Sequence, residues 1–371
     1  MDADTNGDQA FATGVVSSQK NMKRVVHQFH YWASPGDAIT NQMRFLRKTL
    51  QEAGYDAKIF ARSIKGNLKD EVIPFDGKAI EDADLLLLHH SQGTPELESI
   101  LRLKSPRALV YHNITPSHFF SHDPVVAKLC ELGRAQLRTL VKSCRYFFAD
   151  SQFNASELKA LGASEVTQLP LFELSKGESP PLPAKAGKAS RLLFVGRLCP
   201  HKDQERLIET MYYLVHDLKS PATLTLVGGG DRLYRLYLQS LIRARGLESQ
   251  VQIRSDVSDA ELKQIYQESD LFLCVSRHEG FCIPLIEAMR YGLPVFSTTD
   301  TALGETLGGA GVQLQTRDPQ KLAPLLAASL GDPLILDAVR CSGRVRFQEM
   351  QAFQNREEAL KRIQAVVGET S

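Results

Sequence analysis

The sequence predicts an α/β protein built from two doubly wound, parallel-sheet domains facing a central cleft. Three observations lead there. Apolar strand patterns alternate with helical patterns in two separate series, over residues 23–174 and 191–344. A stretch at 175–190, SKGESPPLPAKAGKAS, has almost no large apolar residue and is rich in Pro, Gly, Ser and Lys. Such a composition suits a linker and cannot build a core. Finally, 371 residues exceed what one ordinary core accommodates.

In the first series a strand is expected at 23–29, then a turn region from Trp32 to Ala38. Residues 39–53 carry Met43, Leu46 and Leu50 at helical spacing, closed by Gly54. Strands follow at 56–61, 84–89, 108–112 and 146–150. The Leu run in 84–89 is the unbroken apolar pattern of a strand covered on both faces. Residues 125–143 predict a long helix, and Ser151 opens another as its cap. The second series predicts strands at 192–195, 223–227, 251–253, 271–275 and 294–297, with helices such as 203–218 and 260–268. The last pattern, 345–367 within a C-terminal segment 345–371, is a charged amphipathic helix and a candidate to cross back to the first domain. Residues 1–22 are polar, lack a signal-peptide core, and are expected to be a disordered tail.

Composition narrows the function. A formal charge of +1 gives no global attraction to nucleic acid. The six cysteines show no C-x-x-C pair and sit largely in apolar patterns, as buried thiols in a reducing compartment do. No apolar run reaches transmembrane length, so a cytoplasmic protein is expected.

Chemistry concentrates on two strand-to-helix loops. Gly196-Arg197-Leu198-Cys199-Pro200-His201-Lys202 follows one strand. Its glycine permits close backbone approach, and Arg197 and Lys202 offer a planar fork and a point charge to phosphate oxygens. Cations at a helix start oppose its dipole, so this pair calls for an anion. Leu226-Val227-Gly228-Gly229-Gly230-Asp231 is a second glycine cluster, which a tight connection explains equally well. Arg277 to Met289 places Glu279 on a loop and Glu287 in the expected first helical turn, after Pro284. Both acids then lie at the carboxyl edge of the sheet, where such folds hold ligands. Carboxylates accept hydrogen bonds from vicinal diols, so two acids suit two polyols; a solvated loop acid and a helix-stabilising acid are the plainer alternative. His112, His118 and His122 have a metal-like spacing, but Pro116 and Pro124 interrupt any continuous helix, and no metal site is assigned.

Residues 191–311 resemble the donor-binding domain of retaining glycosyltransferases of family 4, which have the GT-B fold of two Rossmann-like domains. The resemblance runs through FVGRL…K, LVGGG, the stretch VQIRSDVSDAELKQIYQESDLFLCVSRHEGFCIPLIEAMRYGLPVFST and ETLGGAG. It implies that Arg197 and Lys202 bind the diphosphate, with Gly196 and Gly229 beneath it. Glu279 would hold hydroxyls of the donor sugar, and Glu287 the ribose. Val257 would meet the base, and Gly280, Phe281, Cys282 and Ile283 would present backbone amides. In the first half, Gly36-Asp37 matches the loop approaching the phosphate, and His112 the histidine beside the transferred sugar. The resemblance implies His112, Glu279, Arg197 and Lys202 as catalytic residues, transfer with retention, and no cofactor or essential metal.

Asp37, Asp203 and Cys282 stand where a glycine or small residue is frequent in that family, and Leu169-Pro170-Leu171-Phe172 lacks its usual Asn-Gly-Val-Asp ending. The expected function is hexose transfer, mannose on GDP or glucose on UDP, to a saccharide or lipid-linked acceptor. The alternatives are an epimerase or phosphorylase of the same architecture, or a silent nucleotide-sugar-binding scaffold. The basic residues Lys128, Arg134, Arg138, Lys142 and Arg145 suit either a solvated helix face or contact with the inner face of an anionic membrane.

Overall fold

A computed structural model describes residues 23–75, 80, 83–174 and 190–368. The tail expected at 1–22 and the linker expected at 175–190, except Ser190, lie outside the described residues.

The first sheet contains β1 (Val26–Ala33), β2 (Ile59–Ile64), β3 (Ile73–Pro74), β4 (Leu85–His90), β5 (Arg107–Tyr111), β6 (Tyr146–Ala149) and β7 (Thr167–Gln168). Every pairing is parallel, in the order β3-β2-β1-β4-β5-β6-β7. The second sheet, also wholly parallel, contains β8 (Ser190–Val195), β9 (Ala222–Val227), β10 (Val251–Arg254), β11 (Leu271–Cys274), β12 (Val295–Ser297) and β13 (Val312–Gln313). Its order is β10-β9-β8-β11-β12-β13. In both, the chain starts near the middle and winds outward in each direction, so ligand-facing loops gather where the order reverses.

The helices of the first half are α1 (Ala38–Glu52), α2 (Leu97–Leu101), α3 (Pro124–Ser143) and α4 (Gln152–Ala160). The second half adds α5 (Gln204–Tyr212), α6 (Arg232–Ala244), α7 (Asp259–Glu268), α8 (Ile283–Arg290), α9 (Leu303–Leu307), α10 (Pro319–Gly331), α11 (Pro333–Phe353) and α12 (Arg356–Gly368). Strand parity distributes the first core over two faces. Leu86, Leu88, Leu109 and Tyr111 pack on one side. Leu85, Leu87, Ala108 and Val110 pack on the other, together with Ala359, Ile363 and Val367 of α12.

The C-terminal pattern at 345–367 is therefore not one helix. It breaks between α11 and α12 at Gln354, which is fully buried. The Gln354 side chain accepts from the Leu171 amide at 2.8 Å, and its carbonyl accepts from the Leu174 amide at 2.9 Å. Those tertiary bonds outweigh the helical propensity of the segment. The first strand also runs on through the expected turn region to Ala33, because Trp32 and Ala33 pair with Ser63 and Ile64.

Candidate functional site

Two loops from the second domain meet the carboxyl edge of the first. Lys202 ends a 3-10 turn, Pro200–Lys202, and its Nζ lies 2.5 Å from Glu279 Oε2. Burial disfavours the Lys202 charge, but Glu279 outweighs it and raises the pKa. Glu279 is 7% exposed, so the contact is a largely desolvated ion pair beside the junction of the two domains. Arg197 is exposed, and its guanidinium has no hydrogen-bond or ion-pair partner among the described residues. Asp203, following Lys202, has φ 59° and is locked by both oxygens to Arg277, at 3.0 and 3.2 Å. That clamp fixes the end of the loop despite the missing glycine.

Gly280 explains how the halves come together. A Cβ on it would sit 2.7 Å from the His112 carbonyl and 3.4 Å from Asn154 Nδ2. Only a glycine lets the Glu279 loop press against the end of β5. Beside it, His278 and Asn113 form a 2.6 Å hydrogen bond between the domains. Asn113 donates on to Asn154 at 2.9 Å and to Glu157 at 3.0 Å. A second tie lies further along, where the Glu305 carboxylate accepts from the amides of Gln152 and Phe153 at the start of α4, and from Gln168. A carboxylate there answers the free amides and the positive dipole end of α4.

The other expected residues fall in distinct places. Glu287 is the fifth residue of α8, just past its first turn, because the helix already begins at Ile283, one residue before Pro284. Its carboxylate accepts from the Tyr266 hydroxyl at 2.8 Å, and burial raises its pKa. It is not paired with Glu279. Cys282, the cap of α8, has φ 76°, the conformation for which a glycine is usual. Phe281 packs edge-on to Phe172, and Ile283 opens α8 with its amide end toward the loop. Val257 is half-buried between β10 and α7.

Gly228 and Gly230 serve the fold itself. A Cβ on either would strike the Gly196 or Leu198 carbonyl within 2.3 Å, whereas Gly229 borders open space. Gly36 has φ 75°, and Asp37 spends its carboxylate on the amide and hydroxyl of Thr40 as the cap of α1. Of the basic residues on and beside α3, Arg134 turns inward to the Ile114 carbonyl and Glu157. Among the described residues no single helix is long and apolar enough to cross a membrane.

Cys274 Sγ, Cys282 Sγ and a Glu279 oxygen lie within 4.8 Å of one another, a donor set of the type zinc accepts. The Lys202 ammonium already occupies that carboxylate, and its charge opposes a cation there.

His112 stands where the sequence reading put it, at the end of β5, but its surroundings were not foreseen. Its Nδ1 is 2.8 Å from Asp150 Oδ2 and its Nε2 is 2.8 Å from His89 Nδ1. Asp150, His89, Asn113 and His278 had only weak sequence signals, namely positions at or shortly after strand ends, and Glu305 lies within α9.

Two wholly parallel sheets, each flanked by helices and meeting at their carboxyl edges, are the architecture of GT-B proteins. Residues 176–341 match the family model described as glycosyl transferases group 1. Most of the second domain is thus similar to that family, and the chain as a whole has the GT-B fold. Among solved structures it is similar to WaaG, a glycosyltransferase involved in lipopolysaccharide biosynthesis, with a TM-score of 0.70 and 16% identity over 90% of this chain and 98% of that one. Anabaena HepE in complex with UDP and glucose gives a TM-score of 0.71 and 16% identity, over 93% of this chain and 100% of that one. A GDP-mannose:cellobiosyl-diphosphopolyprenol alpha-mannosyltransferase of Komagataeibacter xylinus is 35% identical over 135 residues, 36% of this chain and 33% of the relative. The matches span about a third of the length of such curated relatives.

Proposed function

We propose that the protein is a retaining hexosyltransferase that moves mannose from GDP-mannose to a saccharide or lipid-linked saccharide acceptor. The observation that carries this reading is the Lys202–Glu279 pair at the domain junction, with Arg197 on the same loop and its guanidinium unpartnered among the described residues. A diphosphate entering there would meet two cations. Lys202 would exchange part of its bond to Glu279 for phosphate oxygens, releasing that carboxylate to accept from sugar hydroxyls. The phosphate leaves as an anion, and fixed positive groups stabilise the charge that develops on it. Glu287, bonded to the Tyr266 hydroxyl, would accept from ribose hydroxyls. This chemistry asks for no metal or cofactor. The mannosyl choice is supported by the Komagataeibacter relative, and glucose on UDP by the complex of HepE.

A thermal-shift comparison of GDP, UDP and ADP tests the base. A nucleotide at 100 times its Kd stabilises by about 2.7 kcal/mol, so GDP is expected to raise Tm the most. Nucleotide release from GDP-mannose should fall by about 10²–10³ in Lys202→Ala and in Glu279→Ala, the scale of losing a charge-stabilising group. Circular dichroism is needed alongside, since each change strands a buried partner charge. Wild-type turnover in both variants would reject the site.

A further inference from the structure

We infer that Gln28, His89 and Asp150 are positioning residues that fix His112 with a hydrogen on Nε2 and with Nδ1 committed to a carboxylate, so that His112 has no free lone pair and is not a general base. The consequence for turnover rests on the transferase reading above; the placement of the hydrogens rests on geometry alone.

The four side chains lie on or just after β1, β4, β5 and β6, which are consecutive neighbours in the sheet. All four are buried. The bonds can be assigned from one end. Gln28 Nε2 is 2.9 Å from the Met43 carbonyl. The reversed amide would set oxygen against oxygen, so the nitrogen faces Met43 and Oε1 faces His89. Oε1 only accepts, so His89 Nε2, at 3.1 Å, carries a hydrogen. A neutral His89 then has a bare Nδ1, which accepts from His112 Nε2–H at 2.8 Å. The two ring planes are nearly parallel, 6° apart, and the 5.1 Å between their centroids fits an in-plane bond. A charged His89 is disfavoured, because burial and the neighbouring His112 and His30 push its pKa well down.

His112 Nδ1 is left facing Asp150 Oδ2 at 2.8 Å. Neither atom can be without a hydrogen between them, since two lone pairs would repel. The pair therefore shares one proton, as imidazolium with carboxylate or as imidazole with carboxylic acid, and is neutral overall in either form. Both ring nitrogens of His112 are thus used inside the protein. The other nearby histidines follow separate assignments. His30 Nδ1 donates to the Trp32 carbonyl, and His90 Nε2 to the Gly133 carbonyl.

Histidine-selective 15N labelling of the intact protein tests the arrangement without any substrate. Long-range 1H–15N spectra, assigned with His89→Gln and His112→Gln, are expected to show a protonated Nε2 on His112 and a bare Nδ1 on His89. A bare His112 Nε2 overturns the proposal. Gln28→Leu removes the acceptor that sets the direction, so His89 should invert and leave His112 Nε2 bare. With GDP-mannose, kcat should then fall by about tenfold with KM little changed, the scale on which an outer hydrogen-bond partner acts on the group it orients. Gln28→Glu, protonated at this fully buried position, can donate its hydroxyl to the Met43 carbonyl and accept from His89 through its other oxygen. It should restore both the wild-type nitrogen signals and most of kcat. Loss of activity in Gln28→Leu with unchanged nitrogen signals would show a merely structural role and sink the positioning claim. A wild-type protein with no turnover on any nucleotide sugar would count against the transferase reading, and the nitrogen signals would still decide this one.

Discussion

At the scale of single residues, the site is governed by what each position excludes. Gly280 is defined by the His112 carbonyl pressed against the place where a side chain would begin. Gly280→Ala is expected to cost about 1–3 kcal/mol, as overpacking does, or to part the domains at this point. Either outcome is visible as a lower Tm and weaker nucleotide binding, and an unchanged value of both would refute the close approach. Residue identity was legible here but residue role was less so. Glu279, Lys202 and Arg197 announce themselves by charge on loops after apolar strands. Glu287 falls just past the first turn because its helix already starts at Ile283, directly after a left-handed Cys282 that sequence patterns do not show. Asp37 and the triple glycine illustrate the converse, since capping and backbone crowding employ residues whose pattern also suits a ligand.

At the scale of elements, apolar runs found the long strands because both faces of each are covered, which leaves an unbroken hydrophobic signature. The two-residue strands β3, β7 and β13 carry no such signature; their neighbours recruit them. The helix break at Gln354 was equally invisible, being imposed by partners about 180 residues away. Helix α12 is the element with the clearest energetic role. Ala359, Ile363 and Val367 stand four apart on one face and are completely buried against the first sheet. Ile363→Ala should destabilise by about 2–5 kcal/mol, the usual cost of emptying such a position. Urea unfolding followed on first-domain probes such as Trp32 would reveal it, and a loss below 1 kcal/mol, roughly the level of a surface change, would contradict the packing.

For the whole molecule, contacts between domains and the histidine content set the response to acid. Burial holds His30, His90 and His278 to about 4, and drives His89 and His201 well below the ordinary histidine value. Their unfolded value is 6.5. A depressed histidine takes up its proton more readily in the unfolded chain, so its stabilising effect is complete above pH 6.5. It is lost as pH falls from there toward 4, by up to about 1.4 kcal/mol per pH unit for each group. Tm should therefore drop steeply between pH 6.5 and 4, and His278→Gln should flatten part of that slope while removing a bridge to Asn113. A Tm independent of pH across that window would mean these histidines are open to solvent. None of this was apparent from composition, which counts histidines without showing which are enclosed.

The return of α12 also has a consequence for how the chain is made. The first domain is discontinuous: its sheet is encoded early, but the helix that seals one face of that sheet is encoded after the whole second domain. During synthesis the ribosome must deliver the second domain and then α12 before this face can close. Until then an apolar surface waits exposed, the kind of intermediate that holding chaperones recognise.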